Sequence, residues 1–205
     1  MDLLLIPGDL TKDGALSSHL QFAAYLDSIE QQGIRVFVVP GNHDVNSGRA
    51  VSYADTSSTK TTQVGPGRFS EIYAAFAYDE ALYRDSFSLS YIAEPEQDLW
   101  LIGLDACLYP DDHSTAYAET GGELRRETIR WLESHLLSEE ALRKTKLVVM
   151  HHGVLEHFHT QARYFEDYLL HRYKRTSRWP ITSLPFTCKQ VLMINLIFLP
   201  TFVKK

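Results

Sequence analysis

The sequence predicts an α/β fold, because short apolar strands alternate with helical patterns along the chain. Leu3–Ile6 and residues 34–39 are largely apolar runs, each ended by Pro-Gly, and a helical pattern lies between them. Apolar runs of this length are typical of strands buried on both faces of a sheet. A strand, a helix and a second strand in this order favour a parallel pair.

The helix between these strands is expected over residues 16–32, with Gly33 at its C-terminal end. Its expected apolar stripe comprises Leu16, Leu20, Ala23, Leu26 and Ile29. Residues 45–68 are rich in Ser, Thr, Gly and Asn and predict a long loop, which in a compact domain usually has a functional reason.

The later elements follow from the same periodicities. Residues 70–82 are predicted to be helical, the alternation of Phe87, Leu89 and Tyr91 predicts a half-exposed strand, and Leu99–Leu104 predicts a buried one. A further helix is expected over residues 123–137, followed by a buried strand over residues 146–150. The side chains of that helix expected to face the core are Leu124, Ile129, Leu132 and Leu136.

Composition excludes several classes of protein. The 205 residues are 44% hydrophobic, enough for a sizeable core. Cys107 and Cys188 are too few for a disulfide framework or a cysteine-based zinc site. No apolar run has the roughly 18–20 residues that span a bilayer, and the first seven residues lack the basic flank and cleavage site of a signal peptide. The net charge of −6 argues against a nucleic-acid binder.

Charge divides the chain near residue 170. Residues 171–205 contain seven Lys and Arg and no acid, whereas residues 1–170 contain 13 Lys and Arg against 26 Asp and Glu. A break this abrupt predicts a domain over residues 1–170 and a separate tail over residues 171–205. The apolar residues 191–200 in the tail are compatible with a buried strand, a membrane-surface anchor or a sequence foreign to the domain.

Polar residues follow three of the predicted strands directly. The first strand is followed by Gly8 and Asp9, the second by Gly41-Asn42-His43-Asp44, and the strand over residues 146–150 by His151-His152. Ligands in open α/β sheets bind beyond the carboxyl ends of the strands, so these side chains are expected to meet there. Asp105 also follows a strand, and it either supports such a site from behind or forms a strand-end turn.

These three blocks, in this order, resemble the second, third and fourth signature blocks of the calcineurin-like metallophosphoesterase family. The resemblance covers residues 1 to about 170 and is strongest to the bacterial branch grouped with cyclic-nucleotide-phosphodiesterase-like proteins. It implies a four-layer α/β/β/α sandwich with a dinuclear metal centre. It also implies hydrolysis of a small phosphomonoester or phosphodiester by a metal-bound hydroxide, with no phosphoenzyme.

The resemblance also implies roles for individual residues. Asp9 matches the carboxylate that bridges the two metals, and Asn42 and His151 match ligands of the second metal, with His152 behind them. His43 matches the residue over the substrate phosphate, and Asp44 is expected to orient its ring by accepting a hydrogen bond. Oxygen and imidazole ligands without thiolate suit Mn, Fe, Zn or Co.

Two family blocks are missing from this sequence. The family begins with Asp-x-His upstream of Gly-Asp and ends its site with Gly-His-x-His, and neither block occurs here. His157 and His159 have the spacing of the second block but lack its glycine and its preceding strand.

We therefore expect a partial sandwich without the first strand and the C-terminal strands, and an impaired or inactive hydrolase. The alternative is a non-catalytic remnant of the same fold that binds at most one divalent ion. A small phosphoester is the expected partner and a nucleic acid is not. The cellular compartment, cytoplasmic or exported, is left open.

Overall fold

A computed structural model describes residues 2–54, 57–108, 122–152 and 191–194 of the chain. It begins with strand β1 (Leu3–Ile6), helix α1 (Leu16–Glu30) and strand β2 (Arg35–Val38). The two strands are parallel neighbours, with Leu3 opposite Arg35 and Ile6 opposite Val38. The predicted parallel pair is thereby confirmed.

The burial of these two strands differs from the expectation. The last three residues of β2 are buried, whereas all four residues of β1 are only half-buried. Within the described residues β1 pairs with β2 alone, so its other edge has no neighbouring strand to cover it. The prediction that β1 is buried on both faces was therefore wrong.

Helix α1 begins at Leu16, as predicted, and Gly33 beyond its end has a φ of +86°. The prediction of its apolar stripe was only partly right. Leu26 is buried, but Leu20 is 47% exposed and the fully buried His19 occupies the core face instead. The reason is that the imidazole of His19 has hydrogen-bond partners inside the protein, which apolar periodicity does not reveal.

The segment predicted as a long loop contains regular structure, which is a correction. Strands β3 (Val51–Ala54) and β4 (Ser57–Lys60) form an antiparallel hairpin, and helix α2 (Pro66–Ile72) begins before the segment ends. Thr and Ser side chains are compatible with a pleated strand when its backbone finds a partner, so composition alone misled the prediction.

The predicted helix over residues 70–82 was also wrong in extent. α2 ends at Ile72, a short 3-10 turn covers Ala74–Phe76, and strand β5 (Ala81–Arg84) follows. Phe87 and Leu89 lie in a bend, and strand β6 (Tyr91–Glu96) begins only at the end of the alternating pattern. The bend is held by backbone N–H groups that donate to acidic side chains, such as Phe87 to Asp85.

A five-stranded sheet forms the second half of the fold. Strands β7 (Leu99–Leu104), β8 (Thr145–Met150) and β9 (Val191–Ile194) are parallel to each other, and β6 is antiparallel to both β5 and β7. β7 and β8 confirm two predicted strands, and β9 agrees with the strand interpretation for four residues of the tail. The carboxyl ends of β5, β7, β8 and β9 consequently lie at one edge of the sheet.

Helices α3 (Arg126–Leu136) and α4 (Glu139–Arg143) complete the described elements. One apolar cluster joins α1 and α2 to β2, and a second joins α3 to the five-stranded sheet through residues such as Trp100, Ile102 and Leu136. The α/β class is confirmed, whereas the four-layer arrangement stays a prediction. Among the described residues, no helix has the length and apolar character needed to cross a membrane.

Candidate functional site

Two glycine-containing loops pack against each other where β1 and β2 end. Gly8 has a φ of +90°, and a Cβ at that position would lie 2.6 Å from the backbone nitrogen of Gly41 and 2.9 Å from Nδ1 of His151. A Cβ on Gly41 would in turn collide with the backbone and carboxylate of Asp9. Only glycine allows this approach, which brings Asp9 and Asn42 side by side.

Asp9 itself has a φ of +53°, in the left-handed region that side-chain-bearing residues seldom adopt. Such a backbone costs about 1–3 kcal/mol and is found most often at functional sites. Asp9 Oδ1 accepts a hydrogen bond of 3.3 Å from the backbone N–H of His43. The carboxylate of Asp9 is therefore held towards the loop that follows β2.

Three side-chain atoms converge where β1, β2 and β8 end. Nε2 of His151 lies 2.9 Å from Oδ1 of Asn42 and 3.5 Å from Oδ1 of Asp9. Nδ1 of His151 lies 2.8 Å from the carbonyl oxygen of Pro7, to which it donates in the neutral ring. In that tautomer Nε2 carries a lone pair and faces two oxygen acceptors, an arrangement that a cation would stabilise.

The spacing of these atoms fits a small divalent cation. Ligand atoms about 2.1 Å from one ion lie roughly 3.0–3.5 Å apart in octahedral or tetrahedral geometry. The predicted ligands Asp9, Asn42 and His151 are thus brought together. Among the described residues, however, no three His, Cys, Asp or Glu side chains form a cluster. The set reaches three ligands only because Asn42 is counted.

The ring of His43 is held by a backbone group. Its Nδ1 lies 2.7 Å from the carbonyl oxygen of Lys12, which accepts the hydrogen bond. The expected role of Asp44 as the acceptor from this ring is therefore not what the structure shows. Lys12 takes that role, and Nε2 of His43 is left as the nitrogen that can act on a substrate.

Asp44 instead joins the two loops. Its fully buried carboxylate accepts hydrogen bonds from the backbone N–H groups of Leu10 at 3.0 Å, Thr11 at 2.9 Å and Gly41 at 2.8 Å, and from the Thr11 hydroxyl at 3.1 Å. Burial, with a smaller contribution from the charge of Asp9, raises the pKa of Asp44 to about 6 against the lowering effect of the backbone hydrogen bonds.

His19 is a site-supporting residue that the sequence analysis missed. In the neutral ring, Nε2 donates to the backbone carbonyl of Asp44 at 3.0 Å and Nδ1 accepts from the hydroxyl of Tyr73 at 2.8 Å. Burial lowers the pKa of His19 to about 4. The spacing of His19, Phe22 and Leu26 along one helix face was the available signal.

His152 and Asp105 were the two residues predicted to support the site from behind. The ring of His152 lies edge-on to His151 with centroids 4.7 Å apart, and burial, followed by the charge of His151, lowers the pKa of His152 to about 3. Asp105 accepts from the backbone N–H groups of Leu89 and Cys107, both at 3.1 Å. His152 is therefore beside a candidate ligand, and Asp105 forms a strand-end turn.

Comparison with known proteins identifies the class to which this fold and site belong. The model of the calcineurin-like phosphoesterase family matches residues 1–179. The chain therefore belongs to the calcineurin-like phosphoesterase family, as its strand-end blocks predicted. Members of this family are in general hydrolases of phosphoesters and typically use divalent metals. No individual curated protein matches the chain.

Proposed function

We propose that this protein is a metal-dependent phosphoester hydrolase that binds a divalent ion through Asp9, Asn42 and His151. The convergence of their three acceptor atoms carries the proposal, because a lone pair on His151 faces two oxygens at 2.9 and 3.5 Å. Family membership supports the hydrolase function and the use of a divalent metal. The mixed oxygen and nitrogen donors suit Mn, Fe, Zn or Co.

The chain's own residues have separate tasks in this proposal. A divalent ion at this position would supply Lewis acidity and lower the pKa of a water ligand. The Pro7 carbonyl fixes the ring of His151, so that Nε2 faces the ion. The Lys12 carbonyl fixes the ring of His43 in the same way. Nε2 of His43 can then stabilise charge on the phosphate or, when protonated, donate a proton to the leaving oxygen.

The dinuclear centre implied by the family resemblance is part of the proposal. The described residues offer ligands for one ion, and Asp9 is the carboxylate able to bridge to a second. A second ion would need ligands from elsewhere, so we expect weak metal binding and low turnover. The three-ligand set also favours the second candidate, a non-catalytic remnant that binds at most one ion.

Titration with Mn²⁺, combined with a chromogenic diester assay, tests the proposal. The wild-type chain should bind Mn²⁺ and hydrolyse bis(p-nitrophenyl) phosphate slowly. Asn42→Ala should weaken Mn²⁺ binding by about 10-fold or more, whereas His43→Ala should retain the ion and lose turnover. Gln32→Ala, an exposed amide beyond α1, is the matched control.

The outcomes separate the two candidate functions. Mn²⁺ binding that depends on Asn42, without any hydrolysis, would favour the remnant. Mn²⁺ binding that is equally strong in wild type and Asn42→Ala would contradict the assigned ligands. Hydrolysis unaffected by either substitution would contradict the site as a whole.

A further inference from the structure

A cavity of about 770 Å³ lies among α2, the bend after β5 and the segment before α3. Its lining includes three arginines from these three parts of the fold, namely Arg68, Arg84 and Arg125. None of the residues matched to the family's signature blocks lines it. The described chain thus has a second concave region whose chemistry differs from that of the candidate metal site.

The cavity lies at the edge of the five-stranded sheet from which His151, the candidate ligand after β8, also extends. β5 is antiparallel to β6, and β6 is antiparallel to β7, so β5 ends at the edge where β7 and β8 end. β5 and β8 are three strand spacings apart, which is about 14 Å. Arg84 ends β5 and His151 follows β8. Asn46, four residues beyond Asn42, also lines the cavity.

Contacts within the protein hold the arginines at this cavity. The guanidinium of Arg84 lies 5.1 Å from the ring centroid of Tyr78. Nη1 of Arg125 donates to the carbonyl of Phe87 at 2.7 Å. Arg68 forms an exposed ion pair with Glu71, and such pairs contribute little in water and exchange readily for a better ligand.

The cavity wall also contains one acid, Asp85. Asp85 is buried and its carboxylate accepts from the N–H of Phe87 and from the hydroxyls of Ser88 and Thr128. Its two carboxylate oxygens therefore already accept three hydrogen bonds from the protein. The lining therefore contains three arginines and one acid, and the planar fork of arginine matches phosphate and carboxylate oxygens.

We propose that this cavity binds an oxyanion carried by the substrate. The substrate class is then a phosphoester with a second phosphate or carboxylate on the order of 14 Å from the reacting phosphorus, if the separation of β5 and β8 is taken as the scale. Arg84 and Arg125 determine this specificity. The substrate class rests on the proposed hydrolase function, whereas anion binding in the cavity does not.

Binding of tripolyphosphate in the presence of EDTA measures anion binding in the cavity while the metal site holds no ion. By calorimetry at low ionic strength, Arg84→Gln and Arg125→Gln should each raise the Kd by about 3–10-fold, the effect of losing a partly exposed charge-assisted contact. Arg126→Gln is the matched control, because Arg126 is exposed, follows Arg125 directly and does not line the cavity. Its Kd should stay within about twofold of wild type. Absence of binding, or an equal loss in Arg126→Gln, would overturn the proposal.

Two p-nitrophenyl alkyl phosphates then test the substrate class. One has an alkyl chain of about ten carbons that ends in a second phosphate, matching the strand-derived distance, and the other ends in a hydroxyl. The ratio of their kcat/KM values should favour the phosphate and fall in Arg84→Gln and Arg125→Gln, but not in Arg126→Gln.

These experiments separate the two proposals. Tripolyphosphate binding without any metal-dependent hydrolysis would reject the hydrolase function and retain the anion site. Hydrolysis with no preference for the second phosphate would reject the substrate class and retain the hydrolase function.

Discussion

The backbone N–H of Gly41 donates to the carboxylate of Asp44 at 2.8 Å, and the same carboxylate holds the N–H groups of Leu10 and Thr11. One buried side chain thereby joins the loop after β1 to the loop after β2. The candidate ligands Asp9 and Asn42 lie on these two loops. Their mutual position consequently depends on Asp44, which touches neither the expected ion nor the expected substrate.

Substitution of Asp44 should therefore affect both stability and metal binding. In Asp44→Asn, one carboxylate oxygen is replaced by an amide nitrogen that faces backbone N–H donors, leaving buried donors without an acceptor. We expect a loss of about 2–4 kcal/mol in the free energy of unfolding, measured with urea, and weaker Mn²⁺ binding. Asp27→Asn, at an exposed position of α1, is the control. Unchanged stability in Asp44→Asn would contradict this role.

The glycines at the site provide a second prediction. Gly8→Ala places a Cβ against the backbone of Gly41 at a φ of +90°. We expect a loss of about 2–4 kcal/mol in the free energy of unfolding, because the two loops must separate. Mn²⁺ binding should be lost as well, since Asp9 then moves away from Asn42.

Gly33→Ala is a closely matched control for this change. Gly33 has a similar φ of +86°, but no atom lies within 4 Å of the Cβ that would be added. Gly33→Ala should lower the free energy of unfolding only by the cost of a left-handed backbone, about 1 kcal/mol. Mn²⁺ binding should be unchanged. Equal effects of the two substitutions would show that loop contact is irrelevant.

The candidate ligands could be predicted from the sequence, whereas the residues that support them could not. Asp9, Asn42 and His151 were predictable because each follows the carboxyl end of a strand, where ligands of α/β folds bind. That these ends belong to two separate sheets, β1–β2 and the five-stranded sheet, was not predicted. The partners of His19, Asp44 and His43 were not predictable. These bonds join residues far apart in sequence, often through backbone groups, and neither composition nor periodicity records such pairings.

The strands and helices likewise include some that the sequence predicted and others that it did not. β2, β7 and β8 were predicted because buried parallel strands are continuous apolar runs. The hairpin β3–β4 was missed because its Ser and Thr residues also suit loops, and strand identity there depends on pairing rather than on propensity. The helix predicted over residues 123–137 begins later, at Arg126, so Leu124 precedes it. The four residues predicted to face the core were right, with Leu124 and Leu136 buried and Ile129 and Leu132 packed against the second cluster.

The stability of the protein should depend on pH through His19. Its pKa is lowered from 6.5 to about 4 in the folded protein by burial, so the unfolded chain binds the additional proton between these values. Stability is therefore fully present above pH 6.5 and falls as the pH decreases towards 4, by about 3 kcal/mol from this residue.

Comparison with a variant isolates this contribution. Asp44, whose pKa is raised to about 6, acts in the opposite direction over the same pH range, so the whole-protein profile is a sum. His19→Gln should be less stable at neutral pH, and the difference from wild type should shrink as the pH falls from 6.5 to 4. Gln32→Ala, at the exposed position beyond α1, should leave the profile unchanged. A constant difference between wild type and His19→Gln would contradict the role of burial.

Metal removal tests the convergence of Asn42 and His151 through folding rather than catalysis. An ion that binds only the folded chain stabilises it, by about 2.7 kcal/mol when its concentration is 100 times the Kd. Mn²⁺ should therefore raise the Tm of the wild-type chain and EDTA should reverse the rise. In His151→Ala the rise should disappear, because the imidazole nitrogen 2.9 Å from the Asn42 oxygen is gone. His135→Ala should retain it. A rise in Tm that survives in His151→Ala would locate the ion elsewhere in the chain.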